Sequence, residues 1–235
     1  MKKLLLAASA ALIMQASSAH GVWVTPHFGE LSVVYGMGVA DDAYGKEKLA
    51  WVNGYDEKFV TSEVVVSKKP SHSTIDAKDA AVLTVFFNNG FWEKGENGRW
   101  KEVAEKDISK PVDTSTSLKY NISVLKSYQG EMKPFAELPV QVIPEQDPSA
   151  VKQGEQLVVT VYVDGKPAAD VPVTNDYINN FAEKQKTDKD GKVTLTVRND
   201  ALNVIAALVN HPTPDDAKAH LQRSVATLSF KAAKK

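Results

Sequence analysis

The sequence predicts an all-β protein of two sandwich domains, the C-terminal one immunoglobulin-like. Three observations carry this reading. Short runs rich in Val, Thr, Tyr and Phe recur between Gly, Pro and Asn turn signals. Pro134, Pro139, Pro144 and Pro148 cluster within fifteen residues, as a stiff extended connection between two units would. Beyond that connection the alternation of apolar and polar residues becomes cleaner. The chain of 235 residues is long enough for one large or two small domains. Its 43% hydrophobic and 24% charged residues exclude a collagen, a coiled coil or a wholly disordered chain.

The elements follow in order. Gly21 to Val24 and Leu31 to Tyr35 read as two strands around a turn at Pro26 and Gly29. Val39 to Lys48 is an acidic connection, Phe59 to Ser67 a strand, and Lys68 to Asp79 a polar loop. Ala81 to Phe87 is strongly β-prone, and Asn88-Asn89-Gly90 signals a turn after it. Lys101 to Ser117 carries no clear pattern. Alternation at Tyr120, Ile122 and Val124 favours a strand within Leu118 to Tyr128. In the second half, five strands are expected: Gln156 to Val163, Val171 to Thr174, Val193 to Val197, Leu202 to Val209 and Ser224 to Phe230. Asp164-Gly165 and Thr187 to Lys192 supply turns between them, and Lys231 to Lys235 reads as a frayed, solvated end.

Residues 1–19 read as a secretory signal peptide. Lys2 and Lys3 form the basic region, Leu4 to Met14 the apolar stretch, and Ser17 and Ala19 the small residues of a cleavage site. The apolar run is too short to span a bilayer, and no later one approaches the ~20 residues needed. The expected product is an exported, soluble periplasmic protein with no membrane insertion after cleavage. Its domains would be residues 20–138 and 139–235. Loss of the two lysines takes the formal charge from −1 to −3, which gives no reason to expect a nucleic-acid partner. The absence of Cys excludes disulfides, thiolate metal sites, a Cys nucleophile and a lipoprotein anchor.

Cleavage after Ala19 leaves His20 as the amino terminus. Its α-amine (pKa ~7.7–8.0) and imidazole (pKa ~6.5) both lose their protons near neutral pH. Together they can chelate one Cu(II), Ni(II) or Zn(II). His27 and Glu30 join such a site if a tight turn folds the hairpin back. An extended strand instead puts His20 and His27 ~23 Å apart. His211, after an apolar run and before Asp215-Asp216, is a further candidate ligand. His72 and His220 read as solvated, and Asp41-Asp42 with Tyr44 as a potential hard-cation set. Trp23, Trp51, Trp92 and Trp100 line either the core or a ligand groove. No Gly-x-Ser-x-Gly elbow, phosphate loop, His-Glu-x-x-His or dinucleotide fingerprint is present, so no enzymatic activity is expected.

The C-terminal half resembles a known family. The resemblance rests on Pro144 to Pro148, Gly154-Glu155-Gln156-Leu157, Val159-Thr160-Val161 and Asp164-Gly165-Lys166-Pro167. Val171-Pro172-Val173, Thr187-Asp188 with Gly191-Lys192, and Leu208-Val209-Asn210-His211 follow in the same order. At the other end, His20-Gly21-Val22-Trp23, Gly29-Glu30-Leu31 and Val34 to Gly38 with Asp41 to Tyr44 are similar to a subset of it. The family is that of exported two-domain β proteins that serve as periplasmic components of nickel- and cobalt-type ABC uptake systems or are otherwise of unknown function. The resemblance implies binding of a divalent transition metal, nickel or cobalt before copper or zinc. It also implies delivery to a membrane metal transporter, with His20 and then His211 as ligands. Gly36-Met37-Gly38 departs from the Gly-His-Gly of related sequences, and the Met37 thioether suits Cu(I) better than Ni(II). Two other readings are a cell-envelope interaction or structural module, and a copper-dependent oxidase with an N-terminal His brace.

Overall fold

The computed structural model describes residues 20–27 and 29–234, so the segment read as a signal peptide, Phe28 and Lys235 lie outside the described residues. Almost all regular structure is strand. The N-terminal hairpin forms as Gly21–His27 (β1) and Glu30–Gly36 (β2), with Gly21 opposite Gly36 and His27 opposite Glu30. Leu49–Tyr55 (β3), Thr61–Ser62 (β4), Val65–Lys68 (β5) and Ser73–Asp76 (β6) come next. The single strand expected over Phe59 to Ser67 is instead two short ones in different sheets: Phe59 precedes both with a positive φ of 61°, and the chain leaves the first sheet at Glu63 and Val64. The polar loop expected from Lys68 contains β6, whose Ser73, Thr74 and Ile75 are buried.

Val82–Lys94 (β7) runs straight through the Asn88-Asn89-Gly90 segment, which is a bulge and not a turn. Gly90 (φ 73°) supplies the conformation a bulge needs, so the strand bends and continues. Trp100–Val103 (β8) and Thr114–Val124 (β9) account for much of the stretch without a sequence pattern. The second half holds Val140–Pro144 (β10), Gln156–Val163 (β11), Lys166–Pro167 (β12), Pro172–Asp176 (β13) and Asn180–Lys186 (β14). It ends with Lys192–Thr196 (β15), Leu202–Pro212 (β16) and Leu221–Lys231 (β17). The C-terminal segment is not frayed as far as Ala233: Ala232 is buried, and the Ala233 amide donates to the Val151 carbonyl at 2.9 Å.

A nine-stranded sheet in the order β14-β13-β16-β17-β9-β7-β3-β4, with β8 on β7, forms the middle layer. Its centre is the parallel pairing of β9 with β17, from Leu221 opposite Ser115 to Phe230 opposite Val124. The expected boundary near residue 139 falls in the connection from β9 to β10, and both halves of the chain contribute strands to this one sheet. One face carries Tyr120, Ile122, Ala226 and Leu228 and packs on the sheet of β10, β11, β12 and β15 through Val142, Leu157, Val159 and Val161. The other face is covered by the sheet of β1, β2, β6 and β5, through Val22, Val24 and Val33 against Val85 and Phe87. Beside them, Trp23 and Val34 pack on Tyr177, Val204 and Val225. At about 1.5–3 kcal/mol for each large apolar side chain withdrawn from water, these two interfaces dominate the stability of the layers.

The covered face of β9 is polar. Ser117, Lys119, Asn121 and Ser123 alternate along it, all buried. Asn121 Nδ2 donates to Thr227 Oγ1 (2.9 Å) and Ser229 Oγ (3.2 Å), and Ser123 Oγ donates to Asn121 Oδ1 (2.6 Å). The Thr227 hydroxyl in turn donates to the Val22 carbonyl, tying β17 to β1.

Candidate metal-binding site

The site begins with a reversal of the chain after β2. Gly36 makes it possible: a Cβ there would overlap the Ala40 carbonyl oxygen. The Ala40 amide donates to the Met37 carbonyl (3.2 Å) and the Asp42 amide to the Tyr35 carbonyl (2.8 Å), so Asp41 and Asp42 fold back along β2. Tyr44 fixes the return, its hydroxyl donating to the Val33 carbonyl at 3.0 Å.

His20 stands immediately before β1. Its Nε2 lies 2.8 Å from Asp42 Oδ2. Its ring stacks on Tyr35 with centroids 5.1 Å apart, and Tyr35 stacks on Phe87 at 4.9 Å. Phe87 is fully buried, so the imidazole is the outermost of three stacked rings rooted in the core. Only 15% of the His20 side chain is exposed, against 50% for Asp42. Burial pushes the Tyr35 hydroxyl up to about 12, with a smaller push from the Asp42 carboxylate. Tyr35 is thus neutral and serves as a flat support.

The other sequence candidates are dispersed. His27 sits at the far end of β1, its Nε2 3.3 Å from Asp41 Oδ2. Together with Ser32, Asp41, Asp42, Ser71 and His72 it lines a cleft of about 180 Å³. His72, expected in solvent, turns its Nδ1 to Ser71 Oγ at 3.2 Å in that cleft. Glu30 pairs with Lys69 at 2.8 Å, and that hydrogen bond and charge hold its carboxyl below the usual range. His211 lies opposite Gln222 on β17, five residues or ~17 Å along the strand from Thr227, which touches β1. It shares the face of Val209, which packs on the core opposite the hairpin, and lines a groove with Tyr120, Val140 and Val163. The structure therefore does not bring His211, His27 or Glu30 to His20. Met37 packs in the Trp23 and Tyr177 cluster.

Among the described residues, no group of three or more His, Asp or Glu side chains is placed to hold a metal ion unaided. The sequence marks Asp41 and Asp42 as a hard-cation set with Tyr44. In the structure Asp42 instead takes His20, just before β1, and Asp41 takes His27 at its end, while the Tyr44 hydroxyl goes to the backbone. The visible signal for this was an acidic pair directly after a Gly-rich reversal.

A family model described as a domain of unknown function, DUF4198, matches residues 17–211. An uncharacterized protein of Haemophilus influenzae is 23% identical over 174 residues, which is 74% of each chain. The family match includes His20, Asp42 and His211 and stops before β17.

Proposed function

The chain belongs to this DUF4198 family, and we propose that this member is an exported carrier that binds a divalent transition metal through His20 and passes it to a membrane transporter. The observation that carries the reading is the 2.8 Å contact of His20 Nε2 with Asp42. Metal-binding imidazoles commonly give their second N–H to a carboxylate, which fixes the tautomer and raises the basicity of the other nitrogen. With Nε2–H turned to Asp42, Nδ1 carries the lone pair. Nδ1 is also the ring atom that closes a six-membered chelate with the α-nitrogen of the same residue. Signal cleavage after Ala19 turns that α-nitrogen into an amine.

Nickel or cobalt is the preferred cargo, with copper or zinc as further occupants, because two nitrogens with oxygen or water in the remaining positions suit all four. A chelate supplied by one residue leaves several positions for a receiving protein, as delivery requires. Copper-oxidase chemistry with a His brace would need a second imidazole facing His20. His27 and His211 lie elsewhere, which favours carriage over bond-making chemistry. The periplasm is the proposed location. Among the described residues, no helix is long and apolar enough to cross a membrane.

The test compares protein beginning at His20 with a form carrying one extra N-terminal Ala. Both are titrated with Ni(II), Co(II), Cu(II) and Zn(II). The expected result is tight binding by the first form and a loss of at least tenfold in the second. Equal, weak affinity in both forms would overturn the proposal.

A further inference from the structure

The polar stripe on the covered face of β9 is closed at one end and open at the other. Asn121 and Ser123 satisfy one another together with Thr227 and Ser229. One step along, Ser117 Oγ, Lys119 Nζ and Arg223 Nε have no hydrogen-bond partner among the described residues. Ser117 and Arg223 are opposite one another in the parallel ladder, and Lys119 is the next residue of β9 on the same face. All three therefore project to one side from two adjacent strands. Lys119 is fully buried, and the one charge that bears on it is that of Arg223, which has the same sign.

No carboxylate is within ion-pair distance of Lys119 or Arg223 among the described residues. Glu93 meets Lys101 through Oε1 at 3.7 Å, while its Oε2 is buried and has no hydrogen-bond partner among the described residues. Arg223 instead lays its guanidinium over the Trp100 ring, 4.5 Å from the centroid. Lys48, on the hairpin side, is committed to Asn89 Oδ1 (3.0 Å) and Glu102 (2.8 Å). Guanidinium keeps its charge at any pH the fold survives, and a buried cation without a counter-charge costs several kcal/mol. A water molecule could take hydrogen bonds from these donors but would bring no charge.

We propose that Ser117, Lys119 and Arg223 form a binding site for a small monovalent anion, a halide or a short carboxylate. The anion accepts hydrogen bonds from the three orphaned groups and offsets the charge of Arg223 and of Lys119 in its protonated form. Its entry lies beside Arg223 and Trp100, since Arg223 is the one member of the trio that solvent reaches. The fit is to a small ion, because Ser117 and Lys119 are buried and only Arg223 of the three is part-exposed.

The experiment is a melting series of the wild-type protein in chloride, acetate and phosphate, at constant ionic strength maintained with gluconate. Chloride or acetate should raise Tm saturably, by several degrees at full occupancy. Lys119→Met should melt higher than wild type in gluconate and lose the chloride and acetate response. Equal shifts in wild type and K119M, or a rise that never saturates, would overturn the site. If K119M does not fold, S117A and the wild type replace it. S117A should shift the chloride midpoint upward about tenfold, and bromide-soaked wild-type crystals should show an anomalous peak within hydrogen-bond reach of Lys119 Nζ. An unchanged midpoint, or no such peak, overturns the site equally.

Discussion

His20 and Asp42 meet at 2.8 Å although twenty-two positions separate them, because the chain reverses after β2 and lays its acidic pair beside the start of β1. Under the proposed function, Asp42 is a positioning residue. Asp42→Ala should weaken binding of Ni(II) to the His20-terminal protein by about 10–100-fold, the range typical of a lost outer-shell carboxylate. Asp42→Asn, which keeps an oxygen acceptor, should lie between. Calorimetric titration beside a circular dichroism spectrum distinguishes this from unfolding. Unchanged affinity in D42A would remove Asp42 from the site.

The reversal itself depends on Gly36. Gly36→Ala forces a methyl group into the Ala40 carbonyl, so the turn must open. We expect a loss of about 2 kcal/mol or more in urea denaturation and a loss of metal affinity as large as in D42A.

Stability should rise with pH across neutrality. Burial, then the Arg223 charge, holds the Lys119 amine down to about 7, while the unfolded chain keeps its lysine protonated to ~10.4. Between these values the unfolded state binds more protons, so ΔG of unfolding increases with pH. The slope should approach about 1 kcal/mol per pH unit from pH 7.5 to 9.5 in halide-free gluconate buffer, measured by urea melts. Above pH 10 the trend reverses, because the hydroxyls of buried Tyr35 and Tyr120 and half-buried Tyr55 stay neutral to about 12 while unfolded tyrosine ionises. K119M should flatten the rising limb and leave the falling one. A rising limb of the same slope in K119M would assign it to another group.

Thr227 links three strands with one hydroxyl, accepting from Asn121 and donating to Val22. Thr227→Val keeps the shape but removes the hydroxyl that donates to the buried Val22 carbonyl, while Asn121 Nδ2 keeps Ser229 Oγ as an acceptor. At about 1–3 kcal/mol for an unsatisfied buried group, the expected loss in urea denaturation is about 1–3 kcal/mol. Thr227→Ser should recover most of it. A T227V protein as stable as the parent would show that the tie to Val22 does not stabilise the fold.

The strand at Val193 to Val197 is legible because it has one apolar face and one wet one, as Val193-Thr194-Leu195-Thr196 shows, whereas β10 and β14 are not among the strands expected from the pattern. Where both faces are covered, alternation misleads. Ser117, Lys119, Asn121 and Ser123 have the composition of a wet face, yet all four are buried, and Thr227 ties β1 to this side of the sheet. Likewise Asn88-Asn89-Gly90 has the composition of a hairpin turn, and only the partner strands on both sides show that it is a bulge. At the site, His20 and its separation from His27 along an extended strand could be read directly. Its pairing with Asp42 could not, since it depends on the direction taken after Gly36. The opposite placement of His211 follows from its parity with Val209 once β16 is known to be one unbroken strand.

The pairing of β9 with β17 has a consequence for how the molecule comes into being. Asn121 and Thr227, partners across that seam, are 106 residues apart. A chain made from its amino end therefore carries β9 as a raw sheet edge until its last strand exists. Such an edge is a template for foreign strands, and long-range parallel pairing closes slowly. Completion of the C-terminus thus acts as the latch: a copy lacking its final eleven-residue strand is left adhesive, conspicuous to proteases, and unable to pass as finished.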